Sequence, residues 1–176
     1  MTETIGQDEL YREAAATHAA AIGRLARAYE ADQDNRRDLI QDIHVALWRS
    51  FASFNGACSL RTWIYRVAHN TAISHVLRER RRNRHTMVSL EEIENMASAI
   101  DTERAARQQE ALERLLAMIR TLNPIDRQVI LCYLEGMDAV SIGEIAGLSA
   151  GNVATKIHRI RNVLSCRFHE GGRDDK

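Results

Sequence analysis

Three cysteines, Cys58, Cys132 and Cys166, stand far apart in a chain of 176 residues, an odd number with no close pair. That argues against a disulfide framework and fits a reducing compartment. No CxxC pair is present to start a zinc site, and the Cys166-to-His169 spacing reads as a chance pair in the tail. Neither a metal nor a cofactor is expected. With one proline, Pro124, and scarce β-branched alternation, strands have no pattern to build on. No run approaches the roughly 20 apolar residues that span a bilayer. The opening stretch MTETIGQDELYREAA has no basic leader and no apolar run, so neither a signal peptide nor a membrane partner is expected, and the cytoplasm is. Nucleophile-elbow, Walker and HExxH patterns are absent as well. Nothing therefore frames a catalytic centre, and an enzyme is not expected.

Alanine, leucine, glutamate and arginine dominate what remains, and all favour helices. The expected fold is all-α. Leu10–Tyr29 carries Ile22, Leu25, Ala26 and Tyr29 at helical spacing. Asp34 or Asn35 is expected to cap a second helix with Leu39, Ile40, Ile43, Leu47 and Phe51 as its apolar stripe. A loop with Asn55-Gly56 follows, then a helix over Leu60–Arg82 with Leu60, Ile64, Val67, Ala68 and Thr71 inward. After a mixed segment in which Ser89 and Glu92 have capping-box spacing, Ala105–Leu122 presents Leu112, Leu115, Leu116, Ile119 and Leu122. Asn123 suits an N-cap, Pro124 a first turn, and Asp126 a helix N-terminus. That helix is expected to run to about Glu135 with Gly136 at its end, followed by Ser141–Ala146 and Ser149–Arg167 joined at Gly147. The organisation is two small helical domains, 8–84 and 105–168, with a linker over 85–104 and a tail over 169–176.

The zero formal net charge hides segregation. Between Ser53 and Leu90 seven arginines face one glutamate; between Glu91 and Glu110 six acids face two arginines; between Ile145 and His169 four cations face no acid. Two basic blocks around an acidic spacer imply two anion-binding surfaces.

Two constellations sit on those blocks. SIGEIAGLSAGNVATKIHRIRNVL, Ser141–Leu164, has helix-turn-helix spacing. Ile142, Ala146, Leu148 and Val153 fall where the helices meet, Gly143 where they cross closely and Gly147 at the tight turn. Val153, Ile157, Ile160 and Leu164 then face inward and leave Asn152, Thr155, Lys156, His158, Arg159 and Asn162 to reach base edges or phosphates. A helical hairpin with a solvated basic face is the plainer alternative. The second constellation is SLRTWIYRVAHNTAISHVLRERRRNRH, Ser59–His85. Five of the nine aromatics lie between Trp48 and Tyr65, and Trp63 and Tyr65, two apart on a helix, cannot face the same core. A ring beside arginines can stack on unpaired bases; alternatively Trp63 is core and Tyr65 a boundary residue. The run Arg78–Arg84 complements a helix C-terminus, and His44, His69 and His75 read as surface or hydrogen-bonding histidines rather than ligands.

In this order the blocks resemble bacterial sigma-70 family initiation factors, in particular the small two-domain extracytoplasmic-function group. DLIQDIHVALWRSF (Asp38–Phe51) resembles region 2.2, FNGACSLRTWIYRVAHNTAISHVLRERRR (Phe54–Arg82) regions 2.3 and 2.4, and LNPIDRQVILCYLEGMDAVSIGEIAGLSAGNVATKIHRIRNVL (Leu122–Leu164) region 4. The resemblance implies that Asp38, Gln41, Asp42, Val45 and Trp48 dock on the β′ clamp helices of core RNA polymerase. It implies that the loop with Phe54, Asn55, Gly56 and Ser59 holds a base flipped from the minus-ten element. Arg61, Trp63, Arg66, His69, Asn70 and Arg78 would contact the opening strand or its duplex edge. Ser149, Asn152, Thr155, His158 and Arg159 would meet the minus-thirty-five element, with Lys156 and Arg161 on phosphates. The implied partners are core polymerase (β′ clamp and β flap), promoter DNA and an anti-sigma factor.

Overall fold

The computed structural model of the protein describes residues 6–85 and 103–170. The Ser89–Glu92 spacing, most of the expected linker and the end of the tail lie outside them. The described residues form seven helices and no strand: α1 Gln7–Tyr29, α2 Gln33–Phe51, α3 Leu60–His85, α4 Glu103–Thr121, α5 Pro124–Leu134, α6 Ala139–Ala146 and α7 Ala150–Glu170.

The starts of α2, α5 and α6 follow short polar side chains that satisfy otherwise unpaired N–H groups. The cap of α2 is Asp32, not Asp34 or Asn35: its carboxylate accepts the Asn35 N–H at 2.8 Å. Asp34 therefore falls inside the first turn, where it pairs with Arg37 at 3.0 Å. Asn123 caps α5 as its position predicts, accepting the Asp126 N–H at 2.9 Å. Asp138, which carried no signal in the sequence reading, accepts the Val140 and Ser141 N–H groups at 3.0 Å each. It thereby starts α6 two residues before the expected Ser141.

Helices α1, α2 and α3 pack on one another around Ile22, Leu25, Leu39, Ile43, Leu47, Ile64 and Ala68, all buried. Truncating a side chain such as Ile43 to alanine there should cost about 2–5 kcal/mol. A second group, α4 to α7, closes around Ile119, Val129, Ile130, Ile142, Val153 and Ile160. The two groups are not separate: α1 touches α4, and α3 touches both α5 and α6. Leu112, expected to face inward, is exposed on the crevice between the groups.

Candidate nucleic-acid interfaces

The α6–α7 pair has the close crossing that the glycines promised. A Cβ on Gly143 would stand 2.4 Å from the Leu148 carbonyl oxygen, and Gly147 sits at φ +70. Only glycine fits the first position, and the second favours it by its left-handed backbone. This geometry fixes α7 with Val153, Ile160 and Leu164 buried, while Ser149, Asn152, Thr155, His158, Arg159 and Arg161 point to solvent. The Ser149 hydroxyl accepts the Asn152 N–H at 3.3 Å. His158 and Asn162 are joined at 3.1 Å, and the Arg161 guanidinium lies 5.9 Å from the Tyr133 ring centre. Lys156 differs from its neighbours. It is half-buried, and its Nζ meets Asp126 Oδ1 at 2.6 Å. Arg159 Nη2 meets Asp126 Oδ2 at 2.8 Å. Burial pushes the Asp126 carboxyl up, but hydrogen bonds from Lys156 and Asn123 and the nearby Arg159 charge outweigh it and hold the group below its usual range. Local sequence pattern accounts for Asp126 only as a helix N-terminal acid, because nothing in it brings residue 126 to residues 156 and 159.

In the first group, the loop after α2 is ordered by its own side chains. Asn55 Oδ1 accepts the Ala57 N–H at 3.1 Å, Gly56 sits at φ +74, and Ser59 Oγ accepts the Thr62 N–H at 3.0 Å. Phe54 packs between Phe51 and Trp63, with ring centres at 6.4 and 5.4 Å. Trp63 is half-buried, and its Nε1 donates to Ser50 Oγ at 3.0 Å. Tyr65 is the ring that is buried. This reverses the alternative in which Trp63 is core and Tyr65 a boundary residue: Tyr65 points at the second helical group, Trp63 at the loop.

The remaining residues expected along the opening strand divide. Asn70 is exposed, and Arg78 is exposed but paired with Asp42 at 2.9 Å. Arg61, Arg66 and His69 all turn toward the second group. Arg61 Nη2 donates to the Glu135 carbonyl, and Arg66 Nη2 to the Glu144 carbonyl at 2.9 Å. His69 is fully buried, with Nδ1 3.0 Å from the Tyr29 hydroxyl and Nε2 3.3 Å from Cys132 Sγ. Burial holds the His69 imidazole down to about 3, so it is neutral, and pushes the Cys132 thiol up to about 12. The placement of His69 departs from the expectation of an open contact surface: packing of α3 on α5 removes it from solvent.

Glu135, at the end of α5, is the centre of this seam and was not singled out in the sequence. Its carboxylate accepts Arg24 Nε at 2.6 Å and Arg24 Nη2 at 2.7 Å, and the Tyr65 hydroxyl donates to it at 3.1 Å. The Arg24 hydrogen bonds lead in holding it below the usual carboxylate range. Beside it a largely apolar crevice of about 210 Å³ is lined by Leu25, Leu112, Leu116, Leu131 and Leu134.

On α2, Asp38, Gln41, Val45 and Trp48 are exposed and Asp42 is half-buried, at spacings that place them on one face. Trp48 Nε1 donates to Asp8 Oδ1 at 2.9 Å, which fixes an exposed aromatic ring beside acids. No cluster of three or more potential metal ligands occurs among the described residues.

Comparison with known proteins brings the surfaces under one heading. The sigma-70 region 2 family matches residues 15–82, and the sigma-70 region 4 family matches residues 112–164. The chain is 31% identical over 160 residues to the ECF RNA polymerase sigma factor SigE of Mycolicibacterium smegmatis, covering 89% of this chain and 59% of that protein. It thus spans less than two thirds of that relative's length. Two solved structures share the fold. CnrH in complex with the cytosolic domain of CnrY has a TM-score of 0.66 and 23% identity, over 91% of this chain and 88% of that one. The sigma factor RpoE in complex with the anti-sigma factor NepR from Bartonella quintana has a TM-score of 0.68 and 19% identity, over 94% and 98%.

Proposed function

The chain belongs to the sigma-70 family, in its extracytoplasmic-function group, and from that premise we propose that it directs core RNA polymerase to promoters. In this reading, residues 8–84 dock on the β′ clamp through the Asp38–Trp48 face and open the minus-ten element. Residues 105–168 read the minus-thirty-five duplex through α7 and rest on the β flap. The chain acts as an initiation factor and not as an enzyme, and it works where polymerase works, in the cytoplasm. No helix of the described residues is long and apolar enough to cross a membrane.

The observation that carries the reading is the exposed polar face of α7, Asn152 to Arg161, held by a close α6–α7 crossing in series with a second, aromatic surface around Phe54 and Trp63. A helix held this way can enter a major groove and present side chains to base edges. Phe54 and Trp63 supply ring faces at the mouth of an ordered loop. Partly exposed rings of this kind stack on an unpaired base better than on a paired one, so they shift the duplex toward its open state without chemistry.

Geometry also requires a rearrangement. Elements about 25 base pairs apart lie roughly 85 Å apart along B-form DNA, at about 3.4 Å per pair. With α3 against α5 and α6, both elements cannot be read at once: His69 is buried, and Arg61 and Arg66 are tied to backbone carbonyls of the second group. Polymerase binding must therefore separate the two groups along the Glu135 seam. An anti-sigma factor, of the kind bound to the RpoE relative, would hold them closed. Gel filtration of the purified chain with core polymerase tests the docking step: co-elution that Trp48→Ala weakens supports it, and failure to co-elute overturns it.

A further inference from the structure

Asp126 receives three side-chain donors, two of which its place at a helix start does not require. Besides the Asn123 Nδ2 donating to Oδ2 at 2.8 Å, it receives Lys156 Nζ at 2.6 Å and Arg159 Nη2 at 2.8 Å. Its side chain is 7% exposed, against 27% for Lys156 and 62% for Arg159. Lys156 and Arg159 are three apart on α7, hence neighbours on one turn, and a single carboxylate on α5 reaches both. The two cations fare differently. Lys156 is largely spent inward. Arg159 gives up one nitrogen and keeps most of its surface in solvent.

A guanidinium is planar and carries five N–H donors in a fixed fork. Pinning one end fixes the plane of the rest. An arginine that reads a guanine edge must adopt one orientation, and immobilising a free side chain of this kind costs about twofold to tenfold in affinity. Asp126 meets that cost in folding. It also cancels one of the two positive charges, leaving the patch less able to hold phosphates of any sequence.

We infer that Asp126 is a positioning residue for promoter discrimination: it aims Arg159 at base edges and, by holding Lys156, suppresses sequence-independent binding. The inference rests on the reading that α7 enters the major groove. Asp126→Asn keeps the shape and removes the charge. In place of a general weakening, it raises affinity for any duplex while blunting base preference, and a merely structural loss would lower both.

The test uses the full chain assembled with core polymerase. The probes are a promoter fragment recovered by run-off transcription, its single-base variants across the upstream element, and a scrambled duplex of the same length. Arg159→Ala is measured alongside. The expected result is that Asp126→Asn lowers discrimination about threefold to tenfold at the positions where Arg159→Ala abolishes it, and nowhere else. It should also tighten scrambled-duplex binding and steepen its log–log salt dependence by about one. If Arg159→Ala weakens every sequence equally, the α7 reading fails and this inference with it. If Arg159→Ala is selective but Asp126→Asn leaves preference and salt slope unchanged, the inference alone is overturned. Should Asp126→Asn not fold, Asp126→Glu decides. It keeps the charge and shifts the carboxylate by one methylene, so the salt slope should hold while preference falls; an unchanged preference overturns the positioning role.

Discussion

Glu135→Ala should open the seam. The substitution removes the acceptor of Arg24 and of the Tyr65 hydroxyl, while the Arg61 bond to the residue 135 carbonyl survives. The Arg24 pair lies partly in solvent, with the arginine 61% exposed, so screening limits its contribution to about 0.5 kcal/mol. The Tyr65 bond is better shielded and contributes about 1 kcal/mol. Together these make about 1.5 kcal/mol, or close to a tenfold shift in the closed-to-open ratio. Because polymerase would bind only the separated form, its apparent affinity should rise by the same factor for as long as the open form is the minority. The assay is energy transfer between a dye on exposed Cys166 of α7 and one on Ala20→Cys of α1, with Cys58→Ser to remove the competing thiol. The expected result is a larger low-transfer population and tighter polymerase binding at an unchanged helical content. Glu135→Gln should fall between. If Glu135→Ala leaves both the transfer histogram and polymerase affinity within about twofold, the seam does not govern opening and the reasoning is wrong.

Further consequences follow from single side chains. The His69 imidazole is held down to about 3 by burial, so below its ordinary value near 6.5 the unfolded chain binds a proton that the native one refuses. Unfolding free energy should therefore fall by about 1.4 kcal/mol per pH unit between roughly pH 6 and 4. His69→Asn should remove most of that slope in urea titrations, the smaller remainder reflecting His18, which burial and Arg61 also lower. Glu135 and Asp126, both held below their usual range, act in the same direction but lose their contribution only as pH drops below about 4. Gly143→Ala forces backbone apart at the α6–α7 crossing and should cost about 1–3 kcal/mol by calorimetry. Trp63→Ala should lower open-complex formation about tenfold in permanganate footprinting while leaving polymerase binding intact, with Trp63→Phe recovering most of it. An equal loss of polymerase binding would return Trp63 to a purely structural role.

Much of the fold was legible because it is written in local periodicity. Leu39, Ile43 and Leu47 on α2 and Val153, Ile160 and Leu164 on α7 are buried as their spacing predicts. The Gly143–Gly147 turn was legible for the same reason: its steric demands are local. What escaped was set by contacts between distant segments. The family resemblance implied a contact of His69 with the opening DNA strand, and α3 alone cannot report that α5 will cover it with Cys132. Tyr65 and Trp63 could not be told apart because the partner of Tyr65, Glu135, lies 70 residues away. Asp126 read as a dipole partner of its own helix, and only the packing of α7 on α5 revealed its two cations. Even the α2 cap, Asp32, lies two residues before Asp34 and three before Asn35, since several short polar side chains in AlaAspGlnAspAsn could serve.

Promoter direction by one chain with two DNA-facing surfaces underlies each of these expectations. Run-off transcription with core polymerase on genomic fragments, with start sites mapped with and without the protein, tests it most directly. Discrete starts should appear only with the protein and share two upstream elements, with Arg159→Ala changing base preference only in the distal element and Trp63→Ala reducing opening at the proximal one. Start sites identical with and without the protein would contradict it.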